Sequence, residues 1–511
     1  MKKLIIFLVL MTSNMTFASF DLMLSKLLVS IDPMVIENEA LSLKQQTLFD
    51  VYHQTAANDP ALLGLVMTTR LAALDTPSAK KFVGRFRQQT LLDIYQQALA
   101  NDPTLASALS GNQSAHELIE QSNALYRPKV NLSASASASE TNIEFIGVSI
   151  FRGDGRQSFE SRRYALEARQ PIFRKDSWVK MKQARTQVSQ ADKQYHLSQQ
   201  DLILRVTEAY FDVLIAQDQM DLIQAQKTAI LGQLKQAQAN FEVGTSTITD
   251  VNEAQARFDL VVSQEIAAEN DFLIAKRAIE AITNEEPQKL ATVKSDIKVA
   301  VLGQTIEDWQ QVALENNLNV QIQQDNLAIA EQEISAAKAG HLPTLDAVAS
   351  FSNNYANGSP NGFGSDLDNA TIGVEVNVPI YQGGSISSAV RQAIYDKQKA
   401  QNELDVTLRK ASLETQRNYL NLGSSIAQVR ALEQALSSSQ SQLDSTTLGY
   451  EVGVRTSVDV LNAQQQLFSA KHDLLQARYS YLVNIIRLKF VTGLVSVEDL
   501  EEINNQLVVG S

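Results

Sequence analysis

The chain has no cysteine. That excludes a disulfide, a cysteine zinc site and a thiol nucleophile, and it suits an oxidising compartment. Proline and glycine are sparse, 10 and 21 in 511 residues, which leaves room for long uninterrupted helices. Positive charge is in deficit, with 44 Lys and Arg against 57 Asp and Glu. Lacking a basic stripe to neutralise phosphates, the chain is expected to have no nucleic-acid partner. Beyond its first residues no stretch approaches ~18 consecutive apolar residues, so no transmembrane helix is expected in the mature chain. The five histidines and the carboxylates lack a ligand spacing such as His-Glu-x-x-His, and Gly383-Gly384 is not followed by Gly-Lys-Ser/Thr. No nucleophile–base pair stands out, so the expectation is a chain that is not an enzyme and holds no cofactor or metal.

What is present starts with an export signal. Met1-Lys2-Lys3 is positive, Leu4 to Met11 is apolar, and Thr16-Phe17-Ala18 offers small residues at a cut after Ala18. Residues 1–18 are therefore read as a signal peptide. Residues 19–86 form an extension with half of a small duplication: QQTLFDVY at 45–52 returns as QQTLLDIY at 88–95. Asn58-Asp59-Pro60 likewise returns as Asn101-Asp102-Pro103. Each copy reads as a short amphipathic helix stopped ahead of proline. The first copy is taken as an idle duplication.

A larger duplication organises the rest. FEVGTSTITDV at 241–251 is rewritten as YEVGVRTSVDV at 450–460. The reading is a helix, a glycine stop at Gly244 or Gly453, a polar turn and a new helix. Ser246 or Thr247, and Thr456 or Ser457, are the candidate caps. A first repeat spans 87–283 and a second 326–492, with a connection over 284–325 and a tail over 493–511. Each repeat adds a strand pair to its hairpin. Val130 to Ala138 alternates at period two; Tyr164, Leu166 and Ala168 face away from Arg163, Glu167 and Arg169. Leu345 to Tyr355 is the third strand, and Ile372, Val374, Val376 and Val378 mark the fourth. From about Ser177 to Val243 a helix of roughly 100 Å is expected. Its seam runs through Ala184, Val188, Ala191, Tyr195, Leu202, Val206, Ala209, Val213, Ala216, Met220, Ile223, Ile230, Leu234, Ala237 and Phe241.

Four amphipathic strands cannot close a barrel, and lipid does not tolerate open edges. Closure needs several chains; two would give a side-chain-filled eight-strand barrel, and three would leave a pore. The expected fold is a mixed α+β membrane protein, internally duplicated. Its trimeric twelve-stranded β-barrel, four strands per chain, continues into a long α-helical coiled-coil tunnel. A stalk anchored by strands is the alternative, but surfaces rich in Ala, Ser and Gln suit a hollow ring better.

From about Gln88 to its end the chain resembles the TolC-like outer membrane efflux protein family. Three stretches carry the likeness: Gly340-His341-Leu342-Pro343-Thr344-Leu345-Asp346; Thr371 to Val378 with Pro379-Ile380-Tyr381-Gln382-Gly383-Gly384; and Gly449-Tyr450 through Val460-Leu461. The resemblance implies a homotrimer in outer-membrane lipid with a large periplasmic portion and an equatorial belt. It implies an exit duct for drugs, small molecules or secreted proteins in a tripartite efflux or type I secretion system. Its partners would be a periplasmic adaptor and an inner-membrane ABC or RND-type pump. It further implies a periplasmic gate at Thr249, Asp250, Tyr450 and Arg455, with Arg455 donating to Asp250 or Thr249 and Tyr450 donating to Asp250. Asp459 would form a pore selectivity ring. At the family's second acidic position this chain has Asn462, so weaker cation selectivity is expected. Gly244, Thr245, Gly453 and Val454 are the implied adaptor-docking turns.

Overall fold

Why the chain turns where it does is clearest at residue 102, where a helix ends one residue before a proline. In a computed structural model, residues 88–144, 155–294, 303–359 and 363–508 are described. The expected signal peptide, the extension over 19–86 and its first helix copy lie outside the described residues. The second copy is helix α1, Leu91–Asn101, started by a capping box between Thr90 and Asp93. Pro103 holds Asp102 extended (ψ 117°), which ends α1. The Asp102 carboxylate then caps α2, Pro103–Asn123, by accepting from the Leu105 amide at 2.9 Å. It also takes a 2.8 Å ion pair from Arg205.

Strands β1 (Lys129–Ile143) and β2 (Gly155–Phe173) follow, then helices α3 (Lys175–Glu242) and α4 (Ile248–Thr283). A two-residue strand, β3 (Thr292–Val293), precedes the second half. That half repeats the plan: α5 (Ile306–Asn316), α6 (Leu318–Ala339), β4 (Thr344–Ala356), β5 (Ser365–Asn377), α7 (Ser385–Glu451) and α8 (Ser457–Val491). Asn317 stands between α5 and α6 as Asp102 stands between α1 and α2, and caps α6 through the Val320 amide at 3.1 Å. The repeated unit is thus a helix pair, a strand pair and a long hairpin. The tail is ordered as α9 (Val497–Asn504) and β6 (Leu507–Val508), and β6 pairs with β3.

The four long strands form one antiparallel sheet in the order β1-β2-β4-β5. Its register places Leu132, Leu166, Phe351 and Ala370 in one row and Val130, Ala168, Ala349 and Ile372 in another. The opposite face carries Asn131, Glu167, Ser350 and Thr371. The apolar face is uncovered within the chain: Leu132 is 76% exposed and Ile372 89%. At the base of the polar face Asp346 is buried, bonded by Arg169 at 3.2 Å and by Arg174 Nε at 3.0 Å. The fourth strand ends at Asn377, so the expected Val378 lies just beyond it. Among the described residues no helix is long and apolar enough to cross a membrane.

Helix α3 has 68 residues, roughly 100 Å at 1.5 Å per residue. The seam from Ala184 to Ala237 is mostly buried, whereas Phe241 is 44% exposed because it sits in the last turn before the tip. The periodicity misses a second buried face near the middle, made by Ile203, Thr207, Tyr210, Phe211 and Leu214. There α3 meets α1 and α8 together, and the largest apolar cluster forms with Leu91, Ile94, Leu482, Ile486 and Leu500. A helix enclosed on both sides needs apolar residues all round, so a single stripe no longer describes it. Tyr210 fastens the layer by donating its hydroxyl to the Ala291 carbonyl at 2.8 Å.

Candidate functional site

Both hairpins reverse by the same local chemistry. At the first tip the Gly244 amide donates to the Phe241 carbonyl at 3.0 Å and the Thr245 amide to the Asn240 carbonyl at 2.8 Å. This closure requires a left-handed residue, and Gly244 supplies it with φ +78°. At the second tip Gly453 (φ +80°) donates to Tyr450 at 3.0 Å and Val454 to Gly449 at 2.8 Å. The returning helices then start on capping boxes, Thr247 with Asp250 and Thr456 with Asp459. Of the paired cap candidates, both threonines serve. Backbone amides at Thr247 and Thr456 hold the Asp250 and Asp459 carboxyls below the ordinary carboxylate range. The four turn residues Gly244, Thr245, Gly453 and Val454 are all exposed.

The expected gate residues gather at this end, but not with the expected partners. One Asp250 oxygen is taken by the Thr247 amide at 3.0 Å and by the hydroxyls of Ser246 and Thr247, both at 2.8 Å. The other accepts from Ser457, on the second hairpin, at 3.3 Å. With its acceptors engaged, Asp250 receives nothing from Tyr450 or Arg455. The Tyr450 hydroxyl instead accepts from Asn240 Nδ2 at 3.2 Å, joining α7 to α3. The Arg455 guanidinium makes no hydrogen bond or ion pair among the described residues, although its charge helps to lower Asp459. Its stem packs on Gly449, where an added Cβ would lie 2.7 Å from Arg455 Cγ. Thr249 is exposed and its hydroxyl is likewise unbonded among the described residues. The sequence reading missed Asn240, and it named Ser457 only as a cap. The register of the two copies could have flagged both, because Asn240 answers to Gly449 and Ser457 to Ile248.

One helical turn inward, Asn462 is also engaged. Its Oδ1 accepts from Arg257 Nη2 at 2.7 Å, and Arg257 Nη1 donates to Gln465. Below this, Leu461 is buried in an apolar cluster with Ala254 and Val261 of α4. The tip therefore carries an uncommitted cation and, among the described residues, three polar bridges between hairpins, at Asn240–Tyr450, Asp250–Ser457 and Arg257–Asn462, over a small apolar core.

Known proteins share this chain's sequence pattern and fold. A family model described as outer membrane efflux protein matches residues 94–285 and 309–494. The outer membrane protein TolC of Vibrio cholerae serotype O1 is 35% identical over 411 residues, 79% of this chain and 91% of that protein. The alkaline protease secretion protein AprF of Pseudomonas aeruginosa is 31% identical over 364 residues, 70% of this chain and 76% of that one. Among solved structures, the outer membrane protein VceC of Vibrio cholerae superposes with a TM-score of 0.65 at 19% identity, over 79% of this chain and 96% of that one.

Proposed function

The chain belongs to the outer membrane efflux protein family, and from that premise we propose how its duct is built and shut. It is an outer-membrane exit duct for efflux or type I secretion, resident in the outer membrane. The sheet is one third of a barrel. β1 and β5 are its two edges, and its apolar face is bare. Lipid tolerates that face but not the edges, so β5 of one chain pairs with β1 of the next. Three chains give twelve strands around a lumen lined by Arg163, Glu167 and the serines of β1. The strands have 13 to 19 residues, above the ~9–11 a tilted membrane strand needs. The hairpins continue as a helical tunnel through the periplasm. An inner-membrane pump of the ABC or RND type feeds it through a periplasmic adaptor, and the exposed turns at Gly244, Thr245, Gly453 and Val454 receive that adaptor.

The gate lies at the tips. Asp250 with Ser457, and Asn240 with Tyr450, hold the hairpins of one chain together. Arg455, with its donors unspent, reaches the neighbouring chain near Thr249. The single observation that carries this reading is that uncommitted guanidinium beside two carboxylates already held by their capping boxes. Asp459 supplies the acidic ring of the constriction. As a test, cells lacking the protein should gain sensitivity to detergents and dyes, and the detergent-purified particle should contain three chains. A monomer or dimer as the only folded species contradicts the barrel, and unchanged sensitivity contradicts the duct.

A further inference from the structure

We propose that Arg257 sets both the closure and the ion selectivity of the constriction, a role that rests on the gate reading above. Among the described residues, three side-chain hydrogen bonds join α4 to α8 at this end. The first, from Ser457 to Asp250, lies in the opening turns of both helices. The other two come from Arg257, whose guanidinium forks onto Asn462 at 2.7 Å and onto Gln465. Asn462 and Gln465 are three apart and so share a face of α8. A planar fork with fixed donors suits two neighbouring acceptors, which a lysine ammonium could not span in the same way.

The charge has a second consequence. Asp459 is three residues before Asn462, again on that face. The cation held on Asn462 is therefore about one helical turn from the acidic ring. Glu253, on the preceding turn of α4, forms a 3.6 Å ion pair with the same guanidinium and offsets part of its charge, while the shorter bond goes to Asn462. Three chains thus place three fixed positive charges beside three Asp459 carboxylates, with neutral Asn462 as the seat. A weakly selective constriction follows from this added, partly offset positive charge, beyond the loss of an acidic side chain at 462. When the hairpins part, the Arg257–Asn462 bridge breaks and the cation is released into the lumen.

The test is single-channel recording of the full protein in planar bilayers with potassium chloride. Arg257→Gln should raise open-state occupancy roughly tenfold and raise the preference for potassium over chloride. Arg257→Lys keeps the charge without the fork; it should open like Arg257→Gln yet keep wild-type selectivity. Asn462→Asp should tighten closure by turning the bridge into an ion pair, whereas a simple acidic ring would increase cation current. Arg257→Gln that is wild type in both respects, while Tyr450→Phe with Arg455→Ser opens the channel, overturns the role of Arg257 and leaves the gate standing. If neither set opens the channel, the gate reading fails and this inference with it.

Discussion

The two hairpin tips share a backbone and differ in what hangs on it. Each has its glycine near φ +80°, the same closing amides and a Thr–Asp capping box. At the first tip the side chains point across to the other hairpin: Asn240 donates to Tyr450, and Asp250 accepts from Ser457. At the second, glycine stands where the first has Asn240, and Arg455 lies along the space this leaves. The repeated residues specify the turn, and these cross-hairpin contacts use a repeated residue, Asp250, together with residues at which the copies diverge, Asn240 and Ser457. The first tip supplies Asn240 and Asp250 to contacts within the chain, and the second keeps the Arg455 guanidinium unengaged among the described residues.

That contrast can be broken most strongly at the two aspartates. Asp250→Ala removes a cap and a bridge together, and should give the larger rise in bilayer conductance. Asp459→Ala removes a cap alone; the channel should stay shut while its cation preference falls. Equal leakage from both would make the tips functionally alike. The caps themselves should be symmetrical. Thr247→Ala and Thr456→Ala should each cost about 1 kcal/mol in thermal or denaturant unfolding, and a several-fold disparity would mean that the shared backbone is not shared energetically. A smaller effect is expected at Gly449→Ala, whose new Cβ must displace the flexible Arg455 stem. It should weaken closure less than Arg455→Ser, with little change in stability.

The smallest effect concerns pH. Asp250 and Asp459 have carboxyls lowered by backbone amides in the folded chain. A lowered folded pKa means that stabilisation is complete above the unfolded value of ~3.9 and is lost as pH falls through the lowered one. Conductance should therefore be flat between pH 5 and pH 8. A transition inside that window would assign closure to other titrating groups.

Much of this is legible in the sequence alone. The glycine stops, the threonine caps, the four strands and their faces follow from rules that act over three or four residues. The length of α3 followed because proline is absent across it. Pairings between residues far apart in sequence were less accessible. Nothing local marks Asn240 as the partner of Tyr450, or Arg257 as the partner of Asn462. The expected donation from Arg455 to Asp250 did not materialise within the chain because the capping box and Ser457 already engage that carboxylate. The all-round burial of α3 at Tyr210 and Phe211 was hidden for a related reason. A single helical stripe cannot report two neighbours, and α9 arrives from the far end of the sequence to complete that layer.

The most direct test of the account is the conductance of the purified protein carrying Tyr450→Phe and Arg455→Ser together, compared with wild type in the same planar bilayer. The Asn240 link within the chain and the free guanidinium are removed at once, while both caps and both glycine turns remain. The wild-type channel should show small, brief openings and the double variant large, sustained ones. A double variant as closed as the wild type, from folded assemblies of the same size, would contradict a gate at the hairpin tips.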